Sequence, residues 1–316
     1  MSRISQITLL ETVYPPFKNS NVGILTNRAN ENIAQQLRRS NFYMIGARSE
    51  TVFTNYKVDK DNGIIHVSIS VGGEILDSGS IIFSRIKEIE DIAFPNIIFD
   101  KEAILIGTRS KGSLLFQARL WLTPDSIYWN LSRGAEYLDG FHNHRAICKY
   151  DLLYVGIANN QDSYTRLLKK GHHARQRILS DEPQRMPGAR VSDEIILFLY
   201  DIEPLSIQTI GPEDVDAEFF YGVEKGRIIA DAEKAFVKLL DPNYNEVKFK
   251  QYPVGIDGLY GSGIDCYAYA IAENFVFKTA KNEMKGYKSS NYLDNRQDWI
   301  SVEGKEVTLY VSGEDF

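Results

Sequence analysis

Two short segments in the middle of the chain consist almost wholly of apolar and aromatic side chains. They are Tyr150–Ala158 and Glu194–Tyr200. Runs of this length, rich in Ile, Leu, Val and aromatic residues, indicate buried strands, whereas a buried helix is usually longer. A buried strand needs hydrogen-bonding neighbours along both of its edges. The chain must therefore build a sheet around these two segments, and we predict Glu194–Tyr200 as a central strand.

Helical patterns follow each of the two predicted strands. One helix is predicted over roughly Gln161–Leu179, and a second over Ala230–Leu240, where Asp241-Pro242 ends it. A polar stretch, residues 201–226, separates the second strand from the second helix, and a third helix is predicted over Cys266–Ala280. Strands and helices combined in this way indicate an α+β fold.

The N-terminal part of the chain has a different pattern, with short alternating runs separated by turn signals. Apart from one helix near Asn30–Arg39, the segments are predicted to be strands. They are Gln6–Tyr14, Asn41–Ala47, Thr51–Val58, Gly63–Val71, Gly79–Phe83, Ala103–Gly107 and Leu114–Leu122. A length of 316 residues is enough for two domains. We therefore predict a β-rich accessory domain over residues 1–125.

Composition and charge exclude several classes of protein. With 43% hydrophobic and 25% charged residues, the chain has neither the composition of a disordered protein nor that of collagen. No apolar stretch approaches the roughly 18 residues of a membrane-spanning helix, and no signal peptide is apparent, so we predict a cytoplasmic protein without a membrane partner. The two cysteines, Cys148 and Cys266, have no CxxC spacing, which predicts neither a disulfide framework nor a cysteine zinc site.

Positive charge is concentrated in one segment of an otherwise acidic chain. The formal net charge is −6, which argues against general binding to polyanions. Residues 163–180 nevertheless contain no carboxylate. Their basic side chains are Arg166, Lys169, Lys170, Arg175 and Arg177, with His172 and His173 beside them. We predict that the last four of these cations contact nucleic-acid phosphates; the alternative is an ordinary solvated helix face.

Four polar residues stand close to the predicted strands and helices. Tyr154 lies on the first strand, near Gly156, where the backbone can approach a ligand closely. Arg166 lies near the start of the following helix, and its guanidinium suits a phosphate. Glu233 is predicted in the first turn of the second helix, and Asn245 follows that helix. One carboxylate can hold Mg²⁺ when phosphate oxygens and waters complete the octahedron. Phosphodiester hydrolysis requires such a metal, a cation and a group that aligns water.

The order and spacing of these residues resemble the GIY-YIG nuclease superfamily. Tyr154-Val155-Gly156, followed by Arg166, resembles the second half of its signature. The segment Ala232–Asn245 resembles its closing motif, in which a metal-binding Glu opens a helix and a Pro-x-x-Asn-type turn follows. The two motifs occur in the expected order with a predicted strand between them. The resemblance covers roughly residues 146–247.

The resemblance implies a Mg²⁺-dependent endonuclease that hydrolyses phosphodiester bonds in DNA, with Mn²⁺ as a substitute metal. By this resemblance Glu233 holds the metal and Arg166 stabilises the phosphate in the transition state. Tyr154, with His172 or another tyrosine, orients or deprotonates the water, and Asn245 holds the site together by hydrogen bonding. Among the roles that the resemblance implies, we favour restriction or phage defence.

Two features depart from the family pattern. The Gly-Ile-Tyr tripeptide is absent, and Tyr128 and Tyr150 are both candidates for its tyrosine. The stretch 201–230 has the character of an insertion. We accordingly predict a nuclease core over residues 126–250 and a C-terminal extension over residues 251–316 that packs on this core.

Other functions are open at this point. The missing tripeptide favours a catalytically inactive module that binds nucleic acid or a nucleotide as a sensor. His142 and His144 form an HxH pair that could ligate a metal, although the sequence offers no third ligand beside them. The core residues are suited to contact phosphate and water, which are common to every nucleic acid. We therefore expect the N-terminal domain to select the DNA site that is cut. A homo-oligomer is also open.

Overall fold

The computed structural model describes residues 3–92, 95–109, 116–211, 220–288 and 296–313 of the chain. The protein is a mixed α+β protein in which sheet predominates. Its strands, in chain order, are β1 (Arg3–Thr12), β2 (Phe17–Lys18), β3 (Phe42–Ala47), β4 (Thr51–Asp59), β5 (Ile64–Val71), β6 (Glu74–Ile82), β7 (Asn96–Phe99), β8 (Ile104–Arg109), β9 (Phe116–Leu122), β10 (Leu138–Asp139), β11 (Lys149–Ile157), β12 (Ile195–Thr209), β13 (Cys266–Ile271), β14 (Val276–Lys278), β15 (Glu283–Lys285), β16 (Trp299–Glu303) and β17 (Glu306–Tyr310).

Helices are fewer and mostly short. The α-helices are α1 (Val22–Leu25), α2 (Glu31–Leu37), α3 (Pro124–Leu131), α4 (His144–Ile147), α5 (His173–Asp181), α6 (Val191–Glu194) and α7 (Lys225–Leu240). A π-helix spans Tyr164–Lys169. Short 3-10 helices occur at Asn19–Asn21, Arg28–Asn30, Phe83–Arg85 and Lys87–Ile89.

The chain forms two compact units, and each is built from separate segments. The first unit consists of Met1–Ala47, Lys149–Pro183 and Ile195–Phe316. The second unit consists of Arg48–Cys148 and Gln184–Glu194. This division differs from the boundary expected near residue 125. Residues 1–47 belong to the first unit because their strands β1 and β3 pair with strands from the second half of the chain.

The first unit is built on a ten-stranded sheet whose order is β15-β14-β11-β3-β12-β1-β13-β16-β17, with β2 paired to β12. Strand β3 lies between β11 and β12 and is antiparallel to both. The apolar run at the start of β12 is buried from Ile195 to Tyr200. The strand pairs with β3 along one edge and with β1 and β2 along the other. The prediction of a central strand at Glu194–Tyr200 is confirmed, with Glu194 itself ending α6.

Helix α7 packs against β11 of this sheet. Its buried positions recur every three or four residues, and Phe236 meets Phe42 of β3 edge to face at 5.8 Å between ring centroids. The helix ends where Asp241 adopts a left-handed conformation, with φ of 54°, and Pro242 follows. The helix begins at Lys225, so Glu233 lies in its middle and not in its first turn.

The second unit contains two smaller antiparallel sheets, β10-β6-β5-β4 and β7-β8-β9. Its helix α3 begins with a capping box between Thr123 and Ser126. Within this unit, the Arg48 guanidinium and the Asp125 carboxylate form a buried ion pair of 2.8 Å. Strands therefore dominate this unit, as the alternating sequence pattern predicts, although it starts at Arg48.

Three local predictions are wrong. Cys266–Ala280 is not a helix, because β13 and β14 occupy it and the burial of β13 alternates from Cys266 to Tyr269. The stretch after Asp201 is not simply an insertion, because β12 continues to Thr209 and pairs with β1. The segment expected to form one helix over Gln161–Leu179 is divided into the π-helix and α5.

Residues 114–115 of the strand predicted at Leu114–Leu122 lie outside the described residues, and β9 begins at Phe116. In the described part of the chain, no helix has the length and apolar character needed to cross a bilayer.

Candidate active site

The residues singled out in the sequence line one cavity of about 580 Å³ in the first unit. This size is typical of a site for a small molecule or for part of a larger substrate. The predicted catalytic residues that line it are Tyr154, Arg166, His172, Glu233 and Asn245, and two of the predicted phosphate contacts, Lys170 and Arg177, join them. Strand β11, the π-helix, α5, α7 and the loop after α7 thus meet at this cavity.

Gly156 makes room for aromatic side chains at the cavity. A Cβ atom at this position would lie 2.6 Å from the ring of Tyr154 and 2.8 Å from the ring of Tyr43. Both distances are well below a van der Waals contact, so any side chain at this position would collide with the two rings. The glycine therefore permits two tyrosine rings to lie over β11, rather than a close approach of a ligand to the backbone.

Tyr43 is a site residue that the sequence motifs did not reveal. It lies on β3 opposite Gly156, and its ring stacks on that of Tyr154 with centroids 6.2 Å apart. Its hydroxyl lies 2.8 Å from Nε2 of His172. The segment Arg48–Cys148 separates Tyr43 from Tyr154 along the chain, so no local spacing connects them. The only available signal was a tyrosine inside a predicted strand.

Neither sequence candidate for the first tyrosine lines this cavity. Tyr128 belongs to α3 in the second unit, where its hydroxyl donates a 2.8 Å hydrogen bond to Asp77. Tyr150 is buried in the core of the first unit, where its ring contacts Phe198 and Phe277. Tyr43 therefore supplies the second aromatic hydroxyl beside Tyr154.

His172 caps α5 and is held as one tautomer. Its Nδ1 accepts a 3.2 Å hydrogen bond from the backbone N–H of Arg175. Burial first, and then the charges of Arg166 and Arg175, lower the pKa of His172 to about 4. At neutral pH the imidazole is uncharged, so its single proton is on Nε2, which donates to the Tyr43 hydroxyl oxygen. His172 thus has no free lone pair with which to act as a base. It orients Tyr43, whose hydroxyl is also hydrogen-bonded to Tyr154 and to Arg166.

Glu233 presents a carboxylate to the cavity without a partner. It forms no ion pair and accepts no hydrogen bond from any residue that the structure describes. Burial raises its pKa to about 7, although the charges of Arg166 and Lys234 act in the opposite direction. A desolvated carboxylate whose charge is incompletely balanced is a suitable ligand for a cation. The donor set therefore fits a divalent metal held by one carboxylate, with the other coordination positions open.

Arg166 lines the cavity and supplies positive charge to it. It lies on the π-helix, a rare element that is frequent at functional sites. Its charge lowers the pKa of Tyr43, Tyr154 and His172, as well as that of Glu233. An arginine that acts on all of these groups is well placed to bind an anion among them.

Asn245 fastens the loop after α7 to β11. Its Oδ1 accepts from the backbone N–H of Val155 at 2.9 Å, and its Nδ2 donates to the carbonyl of Val155 at 2.7 Å. The backbone N–H of Tyr244 donates to the carbonyl of Leu153 at 3.0 Å. Strand β14 pairs with β11 only as far as Asp151. Asn245 therefore takes the place of a neighbouring strand along the next part of this edge.

The basic segment does not act as one phosphate-binding surface. Arg175 corrects the prediction, because its guanidinium is half-buried and donates to Asn19 Oδ1 at 2.6 Å and to the Leu167 carbonyl at 2.8 Å. Lys169 is exposed beside the ring of Tyr164, with 5.5 Å between its Nζ and the centroid, and does not line the cavity. Lys170 and Arg177 do line it, and Arg177 also pairs with Glu246 at 3.0 Å.

The other candidate metal ligands are less suitable. In the second unit, Glu50, Glu102 and Asp193 bring one oxygen each within 4.8 Å of one another. Lys101 pairs with Glu50 at 2.9 Å and Arg190 pairs with Asp193 at 2.8 Å, so two of these carboxylates already have cationic partners. His142 and His144 belong to no group of three ligand side chains in the part of the chain that the structure describes.

The chain matches no model of a protein family, and neither the curated proteins nor the solved structures include a match to it. Its function must therefore be inferred from the chemistry of the cavity.

Proposed function

We propose that the first unit is a nuclease of the GIY-YIG type that hydrolyses phosphodiester bonds in DNA with the help of Mg²⁺ or Mn²⁺. The observation that carries the proposal is that Tyr43, Tyr154, Arg166 and Glu233 line or adjoin one cavity although they come from four separate elements. Two hydroxyls, one guanidinium and one unpaired carboxylate are the groups that phosphodiester hydrolysis needs.

In this proposal Tyr43 takes the place of the first motif tyrosine. It lies on β3, which is antiparallel to β11, and this pairing brings it beside Tyr154. The long segment Arg48–Cys148 then stands between the two halves of the signature. The apparent loss of the first tyrosine was the feature that favoured an inactive sensor. If Tyr43 takes the place of that tyrosine, this feature no longer favours the sensor.

Each side chain has a separate task in the proposed reaction. Arg166 binds the scissile phosphate and stabilises the negative charge that develops on its oxygens. Glu233 would hold the metal, which when bound neutralises phosphate charge and lowers the pKa of a coordinated water. Asn245 maintains the edge of β11 on which Tyr154 lies.

Tyr154 orients the phosphate and the attacking water, and the buried Tyr43 positions Tyr154 from behind. Burial raises the pKa of Tyr43 and of Tyr154, so both hydroxyls are protonated at neutral pH. His172 donates to the Tyr43 oxygen, which directs the Tyr43 hydroxyl hydrogen toward a different acceptor. The hydroxyl of Tyr154 is this acceptor, and Tyr154 itself lines the cavity, where it can contact a phosphate oxygen or the attacking water. This arrangement aligns the nucleophile without requiring His172 to accept a proton.

A comparison of Glu233→Gln with Glu203→Gln tests the proposed function. Glu203 is an exposed residue of β12, so its variant controls for the loss of one carboxylate in the same unit. We expect Mg²⁺-dependent nicking of plasmid DNA to fall by a hundredfold or more in Glu233→Gln, because several kcal/mol of charge stabilisation are lost. Glu203→Gln should cut like the parent. Equal cutting by both variants, or no cutting by the parent, would contradict the proposal.

A readout without turnover complements the cleavage assay. A metal that binds the folded chain raises its melting temperature. Mg²⁺ or Mn²⁺ should therefore stabilise the parent and Glu203→Gln at pH 8, and should leave Glu233→Gln unchanged. Equal stabilisation of all three proteins would place the metal elsewhere.

A further inference from the structure

We infer that a groove beside the candidate active site holds the DNA strand next to the scissile phosphate, and that Phe249 stacks on a base of that strand. This inference rests on the proposed nuclease function. It assigns a position for the substrate outside the groups that act on the phosphate.

The groove is continuous with the candidate active site. Its volume is about 690 Å³, and three of its residues, Glu246, Val247 and Phe249, also line the cavity that contains Glu233. A polymer whose phosphate lies beside Arg166 can therefore extend into this groove without leaving the surface. A small free nucleotide would have no need of it.

The groove combines cations with apolar surface. Lys234, Lys248 and Lys250 line it, together with Val247, Phe249 and Val254. Lys234 is paired with Asp257, and Lys248 with Asp241. Lys250 is exposed and has no ion pair within the described ranges of the chain. Grooves for single-stranded nucleic acid have this composition, since lysines follow the backbone and aromatic rings stack on bases.

The backbone of Phe249 adopts a conformation that is unfavourable for its side chain. Its φ is 43°, in the left-handed region that glycine adopts freely and bulky residues avoid. The carbonyl of Phe249 accepts a 2.9 Å hydrogen bond from the backbone N–H of Tyr252, which belongs to the turn that follows. Glycine would satisfy this turn, yet the position carries a phenyl ring that is half-buried and borders both cavities. Unfavourable conformations of this kind cluster at functional sites. The ring is therefore in place to contact the substrate.

The test measures binding of a fluorescent single-stranded DNA oligonucleotide by the full chain. The starting protein is Glu233→Gln, in which cutting of the probe is expected to be at least a hundredfold slower, and it serves as the parent of this series. Into it are introduced Phe249→Ala, Phe249→Tyr and Phe249→Gly, with Tyr221→Ala as the control. Tyr221 is 97% exposed and lines neither cavity, so its variant removes an aromatic ring of the same unit without touching the groove.

We expect Phe249→Ala and Phe249→Gly to bind the oligonucleotide about tenfold more weakly than the parent, because one base loses its stacking partner. Phe249→Tyr and Tyr221→Ala should bind like the parent. The melting temperature of Phe249→Gly should equal or exceed that of the parent, since glycine accepts the left-handed conformation. A role in packing alone would instead lower the melting temperature.

The possible failures are distinguishable. If Phe249→Ala binds as tightly as the parent, while the parent binds with an affinity that falls with salt, the stacking role is wrong and the nuclease proposal stands. If Phe249→Gly loses stability together with affinity, the ring serves packing and the inference is overturned. If the parent does not bind the oligonucleotide, both the inference and the proposed function are overturned.

Discussion

Burial shifts the pKa of Glu233 and of His172 in opposite directions. It raises that of Glu233 to about 7 and lowers that of His172 to about 4. Both shifts favour the uncharged form, because a charge is costly where water is excluded. Between pH 5 and pH 6, therefore, Arg166 contributes a positive charge that neither group balances, which favours an anionic ligand in the cavity.

The first prediction concerns the effect of pH on stability. The pKa of Glu233 is higher in the folded chain than the ordinary value of 4.5, so the unfolded chain releases its proton first. The free energy of unfolding consequently falls as pH rises from about 4.5 to about 7. Glu233→Gln stays uncharged, so its gain in stability over the parent should be larger at pH 8 than at pH 5, by on the order of 2 kcal/mol.

Urea denaturation of the parent, Glu233→Gln and Glu203→Gln at the two pH values measures this difference. Glu203 is exposed, so its variant should show no comparable dependence on pH. A gain that is the same at pH 5 and pH 8 would show that the carboxylate of Glu233 is not desolvated.

The second prediction separates orientation by His172 from base catalysis. In His172→Gln, an amide can still donate to the Tyr43 oxygen but cannot accept a proton from water. Since the Nε2–H of His172 already donates to Tyr43, the cleavage rate should fall by about tenfold or less, and the pH profile should keep its shape. A profile that loses its acidic limb in the variant would identify His172 as the base.

At the scale of elements, the edge of β11 depends on one side chain. The third prediction is that Asn245→Ala lowers the free energy of unfolding by about 1–3 kcal/mol, because both backbone groups of Val155 lose their partner. Asn243→Ala is the matched control, since Asn243 is exposed in the same loop. The free energy of unfolding, measured by denaturation, and the cleavage rate should both fall in the first variant and stay unchanged in the second. Equal stability of the two variants would contradict this role.

The site residues that could be predicted from the sequence belong to short motifs. Tyr154, Arg166, Glu233 and Asn245 could be proposed because motif spacing is a local property, and all four line the cavity. Tyr43 could not be found in this way, since only the pairing of β3 with β11 brings it to Tyr154. Long-range pairing leaves no trace in local spacing.

Two errors about elements have physical causes. A helix was predicted over Cys266–Ala280, but the burial of Tyr267 and Tyr269 on the sheet decides the conformation of β13. The burial of Arg175 could not be predicted, because the sequence of a basic segment does not show which residues its cations will contact. Only the folded chain places Asn19 beside it.

At the scale of the whole molecule, the second unit is inserted between neighbouring strands of the first. In the main sheet, Ala47 at the end of β3 lies opposite Asp151 near the start of β11. Antiparallel strands in this register can be joined by a short turn. The domain boundary expected near residue 125 was wrong because the sequence does not show that β3 and β11 are neighbours.

The fourth prediction is that the second unit selects the DNA site and the first unit cuts. A short glycine-containing turn from Ala47 to Lys149 would remove Arg48–Cys148 and retain every residue of the candidate active site. We expect this chain to keep Mg²⁺-dependent cutting but to lose preference among sites, since the core groups address only phosphate and water. Sequencing of the cleavage ends measures the preference.

Two results would contradict the assignment of selection to the second unit. An unchanged distribution of cleavage ends would place the selection in the first unit. A shortened chain that does not fold would show that the second unit supports the structure of the first, and circular dichroism would detect this before any cleavage is measured.

The central claim is that Tyr43, which no local motif reveals, belongs to the same catalytic centre as Tyr154, Arg166 and Glu233. The most direct measurement is the rate of plasmid cleavage by Tyr43→Phe beside that of Tyr150→Phe, since each variant removes a single hydroxyl oxygen from a buried tyrosine. We predict a loss of about a hundredfold or more in Tyr43→Phe and near-parental cutting in Tyr150→Phe. Parental cutting by Tyr43→Phe, or a large loss confined to Tyr150→Phe, would contradict the account.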